Sequence, residues 1–306
     1  MDTLSFSEPA LEDRAWAAPL LRREGLALCD YSFPVLWCWR EVYGFRLARL
    51  GDRLLISLRY PPGTAYLWPA GEGDPRPALA ALRQDAARRG EPLRLMGLTE
   101  AHCRWLEATF PGRFSFWDLR AGANYLYDLD RLADLPGKHL HAKRNHIHRF
   151  ETACPGYTCA PLTDGDRADC LALNAAWYEE ALRRTDGDPT LRGESEALAE
   201  ALRHREALGL EGIVLRHEGR LLAFSLGALL TDTVFDVHFE RAGEDVPGAY
   251  AAVNRAFAQA VRENHPGVRY LNREEDMGLA GLRQAKLSYH PDRLLVYKCA
   301  ADAAAE

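Results

Sequence analysis

The chain has 306 residues, of which 47% are hydrophobic and 27% charged, with a formal net charge of −6. The hydrophobic and charged fractions are those of an ordinary folded protein, and the length is sufficient for two domains. The negative net charge argues against a protein that coats DNA or anionic lipid. No apolar run approaches the ~20 residues of a membrane helix, and the acidic N-terminus leads into no signal core. The seven cysteines include no Cys-x-x-Cys pair. We therefore predict a cytoplasmic protein with reduced cysteines and no integral membrane association.

The N-terminal half alternates between β-like and helical patterns. Its predicted strands are residues 51–58, 65–68, 93–96 and 114–119, and its predicted helices run through Leu79, Leu82 and Ala86 and over 100–110. The hydrophobic residues recur with period 2 in the predicted strands and with helical spacing in the predicted helices. An α/β module is expected here.

A basic stretch lies between the two halves of this acidic chain. Residues 138–149 carry lysines, arginines and four histidines and no acid. The pattern predicts a helix that either tracks a phosphate backbone or forms a solvated face paired with neighbouring acids. The candidate nucleic-acid contacts are Lys138, Lys143, Arg144 and Arg149.

The C-terminal half gives the clearest pattern. A strand at 157–160 precedes two helices, 163–182 and 194–208, which are separated by a polar break at 184–189. Strands at 212–215, 221–230 and 234–239 follow, the first two joined by a tight turn at Glu218-Gly219. A helix after Pro247-Gly248, a strand at 268–271, a helix at 279–287 and a strand at 294–297 complete the order.

This order, β-α-α-β-β-β-α-β-α-β, predicts a mixed sheet flanked by helices and is the order of a GNAT-type acyl-transfer domain. The N-terminal half repeats part of it, since 51–58 resembles 218–226 in residue type. The predicted fold class is α/β (α+β) with two tandem GNAT-like modules. We place them at residues 1–125 and 157–306, with a basic helical connector at 126–156.

The densest polar cluster is Asn-Arg-Glu-Glu-Asp at 272–276, between a predicted strand and a helix. Ligands of open α/β sheets bind at the carboxyl ends of strands. Adjacent carboxylates can hold an amine, or one of them can act as a base. The competing interpretation of this cluster is a solvated loop with an acid that caps the next helix. Downstream, Arg283 and Lys286 share one face of a predicted helix, which either binds an anion or faces solvent. Tyr289 either donates a proton to a leaving group or packs in the core.

The segment 241–250 lies where the N-terminus of a helix can receive the pyrophosphate of coenzyme A. Its match to the acetyltransferase Q/R-x-x-G-x-G/A pattern is poor, and Glu244-Asp245 would repel a pyrophosphate. His238 and Tyr250 are further candidates for substrate binding. His139, His141, His146, His148, Cys154 and Cys159 match no closed zinc motif, so neither a metal nor a tightly bound cofactor is expected. Serine hydrolase, P-loop and dinucleotide motifs are absent from the sequence.

Two groups of motifs resemble the bacterial proteins grouped as DUF2156. The first is Tyr-Leu-Tyr at 125–127 with Leu-Pro-Gly-Lys at 135–138 and Lys-Arg-Asn at 143–145. The second is Tyr-Leu-Asn-Arg-Glu-Glu-Asp-Met-Gly-Leu at 270–279 with Leu-Arg-x-x-Lys at 282–286 and Ser-Tyr-His-Pro at 288–291. That family is related to the C-terminal domain of phosphatidylglycerol lysyltransferases and to Fem-type aminoacyltransferases.

The resemblance implies an enzyme that takes an aminoacyl group from charged tRNA and passes it to an amine or hydroxyl acceptor. Lys286 and Arg283 would then stabilise an oxyanion or a tRNA phosphate, and Glu274 or Asp276 would orient or deprotonate the acceptor. Asn272, Arg273 and Glu275 match motif positions that we assign to substrate binding.

Two alternatives stay open at this point. One is an acyl-CoA-dependent N-acyltransferase, and the other is a non-catalytic GNAT-like scaffold that binds a small ligand or a protein.

Overall fold

The computed structural model of the protein describes residues 4–185 and 189–302. Its α-helices are α1 (Arg14–Glu24), α2 (Phe33–Cys38), α3 (Arg40–Tyr43), α4 (Arg76–Arg88), α5 (Glu100–Thr109), α6 (Leu129–Asp134), α7 (His141–Ala153), α8 (Arg167–Thr185), α9 (Pro189–Arg203), α10 (Arg205–Leu208), α11 (Ala249–Asn264) and α12 (Ala280–Leu287). The break predicted between the first two helices of the C-terminal half falls largely on 186–188, outside the described residues.

The strands are β1 (Arg46–Leu50), β2 (Arg53–Tyr60), β3 (Gly63–Leu67), β4 (Ala70–Gly71), β5 (Arg94–Leu98), β6 (Phe114–Asp118), β7 (Asn124–Asp128), β8 (Thr158–Pro161), β9 (Glu211–His217), β10 (Arg220–Thr231), β11 (Val234–Ala242), β12 (Tyr270–Asn272), β13 (Arg293–Leu295) and β14 (Lys298–Asp302). They form two mixed sheets. None of the helices in the described part of the chain combines the length and hydrophobicity needed to cross a membrane.

The chain divides into two compact units. Unit 1 comprises Met1–Asn124, Glu275–Ala280 and Leu294–Glu306, and unit 2 comprises Tyr125–Glu274 and Gly281–Arg293. The unit 1 sheet has the order β1-β2-β3-β5-β14-β6, with β4 beside β2. Its core lies between this sheet and the apolar face of α4, where Leu79, Leu82 and Ala86 are almost fully buried.

The unit 2 sheet has the order β13-β7-β12-β11-β10-β9-β8. The hairpin between β9 and β10 turns at Glu218 and Gly219, which have φ angles of 49° and 81°, as the predicted tight turn requires. On one face of the sheet, Phe257 of α11 packs against Phe235 of β11 with ring centroids 5.7 Å apart. Arg241 of β11 contacts α8 on the other face, so helices flank both faces.

Both sheets repeat the same pairing. In unit 1, the antiparallel hairpin β2–β3 is followed by the parallel pair β3–β5, and α4 makes the crossover. In unit 2, the antiparallel hairpin β10–β11 is followed by the parallel pair β11–β12, and α11 makes the crossover. The next strand in each sheet comes from the other half of the sequence: β14 lies between β5 and β6, and β7 lies between β12 and β13. The predicted α/β fold class with two tandem GNAT-like modules is confirmed.

The unit boundaries differ from the predicted modules for a physical reason. Residues 126–156 do not form a separate connector, because β7 is hydrogen-bonded into the unit 2 sheet and Leu129, Leu132, Ile147 and Phe150 belong to the unit 2 core. At the other end of the chain, β14 pairs with β5 and β6 and so belongs to unit 1.

Candidate active site

The parallel strands of unit 2 separate at a defined point. β11 pairs with β12 at three positions, Val234–Tyr270, Phe235–Leu271 and Asp236–Asn272. β12 ends there, whereas β11 continues to Ala242. The last part of β11 therefore has no β12 partner, and the chain after β12 turns away from it. Such a split is where an open α/β sheet offers space to a ligand.

A β-bulge in β11 lies at this split. Gly227 of β10 is opposite Val237 and Leu226 is opposite Phe239, which leaves His238 as an extra residue. A bulge shifts the alternation of side chains along a strand. Before it, Phe235 and Val237 belong to the core packed around α11; after it, Glu240 meets α11 and Arg241 meets α8.

Gly227 is required by this geometry. A Cβ atom built at Gly227 would lie 2.1 Å from the main-chain oxygen of Asp236 and 2.8 Å from the Phe235 ring. Only glycine allows the two backbones to approach so closely beside the bulge. This residue therefore helps to set the position of His238.

Three ionisable side chains converge at the split. The His238 Nδ1 atom lies 2.9 Å from Glu274 Oε1 and 3.6 Å from Asp236 Oδ2. Asp236 and His238 are almost fully buried, whereas the Glu274 side chain remains 23% exposed. Glu274 is thus the most exposed member of the group, and its carboxylate is in direct contact with the imidazole.

The turn that carries Glu274 is held by its own main chain and by Asn272. The Asn272 Oδ1 atom accepts a hydrogen bond of 2.9 Å from the Glu274 N–H. Arg273 N–H donates to the Tyr125 carbonyl, and the Tyr125 N–H donates to the Glu274 carbonyl. Glu274 has a φ of 54°, a conformation that non-glycine residues rarely adopt. Asn272, predicted to bind substrate, is fully buried and holds this turn.

Arg273 forms a second bridge across the split. Its guanidinium donates to Glu240 Oε1 at 2.9 Å, and Asn254 of α11 donates to the other oxygen of Glu240 at 3.1 Å. The same guanidinium lies 4.9 Å from the ring centroid of Tyr289 and 5.8 Å from that of Tyr127. A hydrogen-bonded pair of this kind, with both side chains mostly shielded from solvent, fixes the two strands at their separation.

The downstream motif supports the same turn. The Lys286 ammonium donates to the Arg273 carbonyl and is almost fully buried. Burial raises the pKa of the Tyr289 hydroxyl to about 12. The Lys143 ammonium lies 3.9 Å from the Tyr289 ring centroid and donates to Ser288 Oγ at 2.6 Å. Partial burial and then the Arg273 charge lower the pKa of Lys143 to about 8.

The polar cluster at 272–276 is divided between the two units. Glu275 and Asp276 belong to unit 1, where Asp276 is fully buried and its Oδ2 accepts from Arg120 at 2.8 Å. Glu275 Oε1 lies 3.9 Å from Cys29 Sγ. The unit 2 group around His238 therefore contains Glu274 but neither of these acids.

The remaining predicted residues have mixed environments. Arg283 is half-buried, and Tyr250 is exposed in the first turn of α11. Of the predicted nucleic-acid contacts, Lys138 and Arg149 are exposed. Arg144 instead donates to the carbonyls of Leu135 and Gly137.

Two groups of donor atoms within the described residues could hold a metal ion. They are Cys29, Asp30 and Glu275 in unit 1 and Asp236, His238 and Glu274 in unit 2, with the atoms of each group within 4.8 Å of one another. The histidines and cysteines weighed as ligands from the sequence belong to neither group. One imidazole with two carboxylates suits a divalent cation but equally suits proton transfer.

The start of α11 is closely covered. Gly248 precedes the helix with a φ of 79°, and a Cβ atom there would lie 1.9 Å from the main-chain oxygen of His146 in α7. The Ala249 N–H donates to the Val246 carbonyl, and Asp245 is paired with Arg220. The backbone of α7 thus lies directly against Gly248 at the start of α11.

The corresponding point of unit 1 is closely packed. β3 pairs with β5 at Tyr66–Leu95 and Leu67–Met96. The next residue of β5, Gly97, is packed so closely that a Cβ atom would lie 2.9 Å from Leu28 and 3.4 Å from Tyr31. The side chains of Leu28 and Tyr31 therefore fill this position in unit 1.

Sequence comparison identifies the family. The family model described as "Phosphatidylglycerol lysyltransferase, C-terminal" matches residues 23–300. The chain belongs to this family. A search of curated proteins gives no match.

Among solved structures, a conserved protein of unknown function from Bacteroides thetaiotaomicron VPI-5482 has a TM-score of 0.91 and 36% sequence identity, covering 98% of this chain and 100% of that one. The C-terminal domain (DUF2156) of a putative lysylphosphatidylglycerol synthetase from Agrobacterium fabrum has a TM-score of 0.64 and 15% identity over 96% and 92% of the chains. FemX has a TM-score of 0.61 and 10% identity over 98% and 97%. The predicted relationship to DUF2156 is confirmed, and the last two likenesses show a shared fold.

Sequence reasoning missed Asp236, Glu240 and Asn254. The signal for Asp236 was present, since an acid inside the apolar run 234–239 is expected to be buried and to need a partner. The role of Glu240 depends on the bulge, which changes its face.

Proposed function

We propose that unit 2 transfers an acyl group, most specifically an aminoacyl group from aminoacyl-tRNA, to an amine or hydroxyl acceptor. The observation that carries this proposal is the partly exposed carboxylate of Glu274, held 2.9 Å from His238 at the strand split. Membership in the phosphatidylglycerol lysyltransferase family supports the reaction class. A charged-tRNA donor places the reaction in the cytoplasm.

In this mechanism the acceptor nitrogen or oxygen attacks the ester carbonyl carbon of the donor. The new C–N or C–O bond forms, and the ester bond to the terminal ribose oxygen breaks. Glu274 takes the proton that leaves the acceptor, and that proton passes to the ribose oxygen, which restores the carboxylate. A general base that is positioned in this way contributes about 10²–10⁴-fold in rate.

His238 and Lys286 act through Glu274 in this proposal. The imidazole orients the carboxylate, with Asp236 behind it. The Lys286 ammonium holds the Arg273 carbonyl, so we assign it to positioning of the turn. Arg283 is retained as a contact for donor phosphate.

The covered start of α11 argues against the acyl-CoA alternative. Coenzyme A would need its pyrophosphate at the helix N-terminus, where Gly248 abuts α7. Calorimetric titration with coenzyme A tests this point, and micromolar binding would favour the acyl-CoA reaction.

The proposed activity is tested by offering aminoacyl-tRNAs and acyl-CoAs as donors with small amines and peptides as acceptors. We expect acyl transfer from at least one charged tRNA and none from acyl-CoA. If no donor is consumed in the full screen, the non-catalytic scaffold becomes the better account.

A further inference from the structure

Three donor atoms at the strand split of unit 2 have the spacing of ligands around one metal ion. The His238 Nδ1 atom lies 2.9 Å from Glu274 Oε1 and 3.6 Å from Asp236 Oδ2, and the ligand atoms of the three residues all lie within 4.8 Å of one another. Zinc binds imidazole nitrogen and carboxylate oxygen at about 2.0–2.2 Å, which separates two ligand atoms of a tetrahedral site by about 3.4 Å. The observed distances lie on both sides of that value, so a small movement brings all three atoms into contact with one ion.

Two of the three ligands are held by the sheet. Asp236 and His238 are two residues apart on β11, and both side chains are almost fully buried. The pairing of Asp236 with Asn272 and the close approach of Gly227 fix this part of the strand. Glu274 follows β12 and its side chain is 23% exposed. The Glu274 carboxylate is therefore the ligand that adjusts its position when an ion enters.

The chemistry of the donor atoms selects among divalent ions. Imidazole suits zinc and other first-row transition metals, which also accept carboxylate oxygens. Calcium takes about six to eight oxygen ligands, whereas this group offers one imidazole and two carboxylates. Because the carboxylates outnumber the imidazole, a dication offsets more of their charge than a protonated histidine does. Asp236 is fully buried, and a buried charge is costly unless it is paired or coordinates a metal.

We infer that Asp236, His238 and Glu274 bind a divalent transition-metal ion such as zinc, and that the bound ion suppresses the transfer reaction. The ion takes the place of the proton between His238 Nδ1 and Glu274 Oε1, and that proton passes to solvent. Coordination then occupies the carboxylate that takes the proton of the acceptor. The suppression rests on the proposed role of Glu274 as a base, whereas the binding site needs only the three ligands.

Calorimetric titration of the metal-free full chain with zinc chloride tests the binding site. The Glu274→Gln variant removes the charge of the most exposed ligand and keeps the shape of its side chain, so it is expected to fold. Its zinc affinity should be lower by at least about 10²-fold, since loss of an outer-shell partner alone costs about 10–100-fold. His148→Asn on α7 and Glu263→Gln on α11 are exposed matched controls and should bind zinc like the wild type.

The transfer rate in the presence of zinc tests the suppression. At a free zinc concentration of about ten times Kd, about nine-tenths of the chains hold the ion, and the single-turnover rate of the wild type should fall about tenfold. Asp236→Asn weakens the zinc site but leaves the contact between His238 and Glu274. The rate of this variant, compared with its own rate without zinc, should therefore change little at the same zinc concentration.

Equal zinc affinity of the wild type and Glu274→Gln would overturn the site and would assign the binding to other side chains. A wild-type rate that saturating zinc leaves unchanged or raises would overturn the suppression. The outcome is separable from that of the proposed function. Zinc binding that depends on Glu274, without transfer from any donor, would retain the metal site and remove the activity. Transfer by a chain that does not bind zinc would retain the activity and remove the metal site.

Discussion

Replacement of Gly227 by alanine tests how the site is built. The added Cβ atom would lie 2.1 Å from the Asp236 carbonyl oxygen, more than 1 Å inside the ordinary contact distance of about 3.4 Å between carbon and a main-chain atom. Neither atom lies on a flexible side chain, so β10 or β11 must shift. Overpacking of a well-ordered core costs about 1–3 kcal/mol, and we expect the upper part of that range.

The assay is urea unfolding followed by circular dichroism, with thermal unfolding in parallel. A loss of 3 kcal/mol corresponds to a fall of roughly 6–12 °C, at about 2–4 °C per kcal/mol for a domain of this size. Gly281→Ala is the matched control, because no atom lies within 4 Å of its Cβ position. It should leave stability unchanged or raise it by up to about 1 kcal/mol.

The position of His238 adds a second readout. If the strands shift at the bulge, the His238–Glu274 contact changes, and the activity of folded Gly227→Ala protein should fall with it. A variant that is as stable as the wild type would refute the argument from close approach. A destabilised variant with full activity would refute the link between the bulge and the site.

Three further predictions concern single side chains. Lys286→Met frees the Arg273 carbonyl and the turn that follows it, so kcat should fall by about 10²-fold with little change in KM, as expected for misplacement of a reacting group. Asp276→Asn weakens the buried ion pair with Arg120 and should lower the free energy of unfolding by about 1.5–3 kcal/mol. The folded variant should keep the wild-type rate of transfer. A lower rate with unchanged stability would instead indicate that Asp276 is catalytic. Burial lowers the pKa of Lys143 in the folded protein to about 8. Between about pH 8 and pH 10 this lysine is therefore protonated in the unfolded chain but largely neutral in the folded protein, so the free energy of unfolding rises with pH over that range. Urea unfolding of Lys143→Gln should lack this rise relative to the wild type, and an unchanged pH profile would contradict it.

Much of the fold was predictable because local patterns and tertiary structure agree. The helix through Val253, Phe257 and Val261 has the spacing of a single apolar face, and that face packs on the sheet. The turn at Glu218-Gly219 has the residue chemistry that its positive φ angles need. In these segments the local hydrophobic pattern and turn residues agree with the tertiary structure and are sufficient to predict it.

Strand partners between distant parts of the chain were less predictable. The run Tyr125-Leu126-Tyr127 is buried on both faces as β7, between β12 and β13, and β14 completes the other sheet. Hydrophobic periodicity indicates a strand but does not name its neighbours. The predicted connector and module boundaries therefore differ from the compact units.

The candidate site was predicted in part for the same reason. The motif at 272–276 follows a strand, as predicted, whereas the contact between Glu274 and His238 was not predicted. Adjacent acids in sequence, however, need not share a site, since Asp276 turns to Arg120. The bulge that brings Glu240 to Arg273 depends on a backbone approach at Gly227, which no single motif reveals.

The central claim is that Glu274 serves as the base for acyl transfer in unit 2. The most direct measurement is single-turnover transfer of a labelled amino acid from charged tRNA by the wild type, Glu274→Gln and the matched control Glu263→Gln, whose glutamate is exposed on α11. The account predicts a rate about 10²-fold lower or more for Glu274→Gln, with unchanged folding and tRNA binding, and a wild-type rate for Glu263→Gln. A wild-type rate for Glu274→Gln would contradict it.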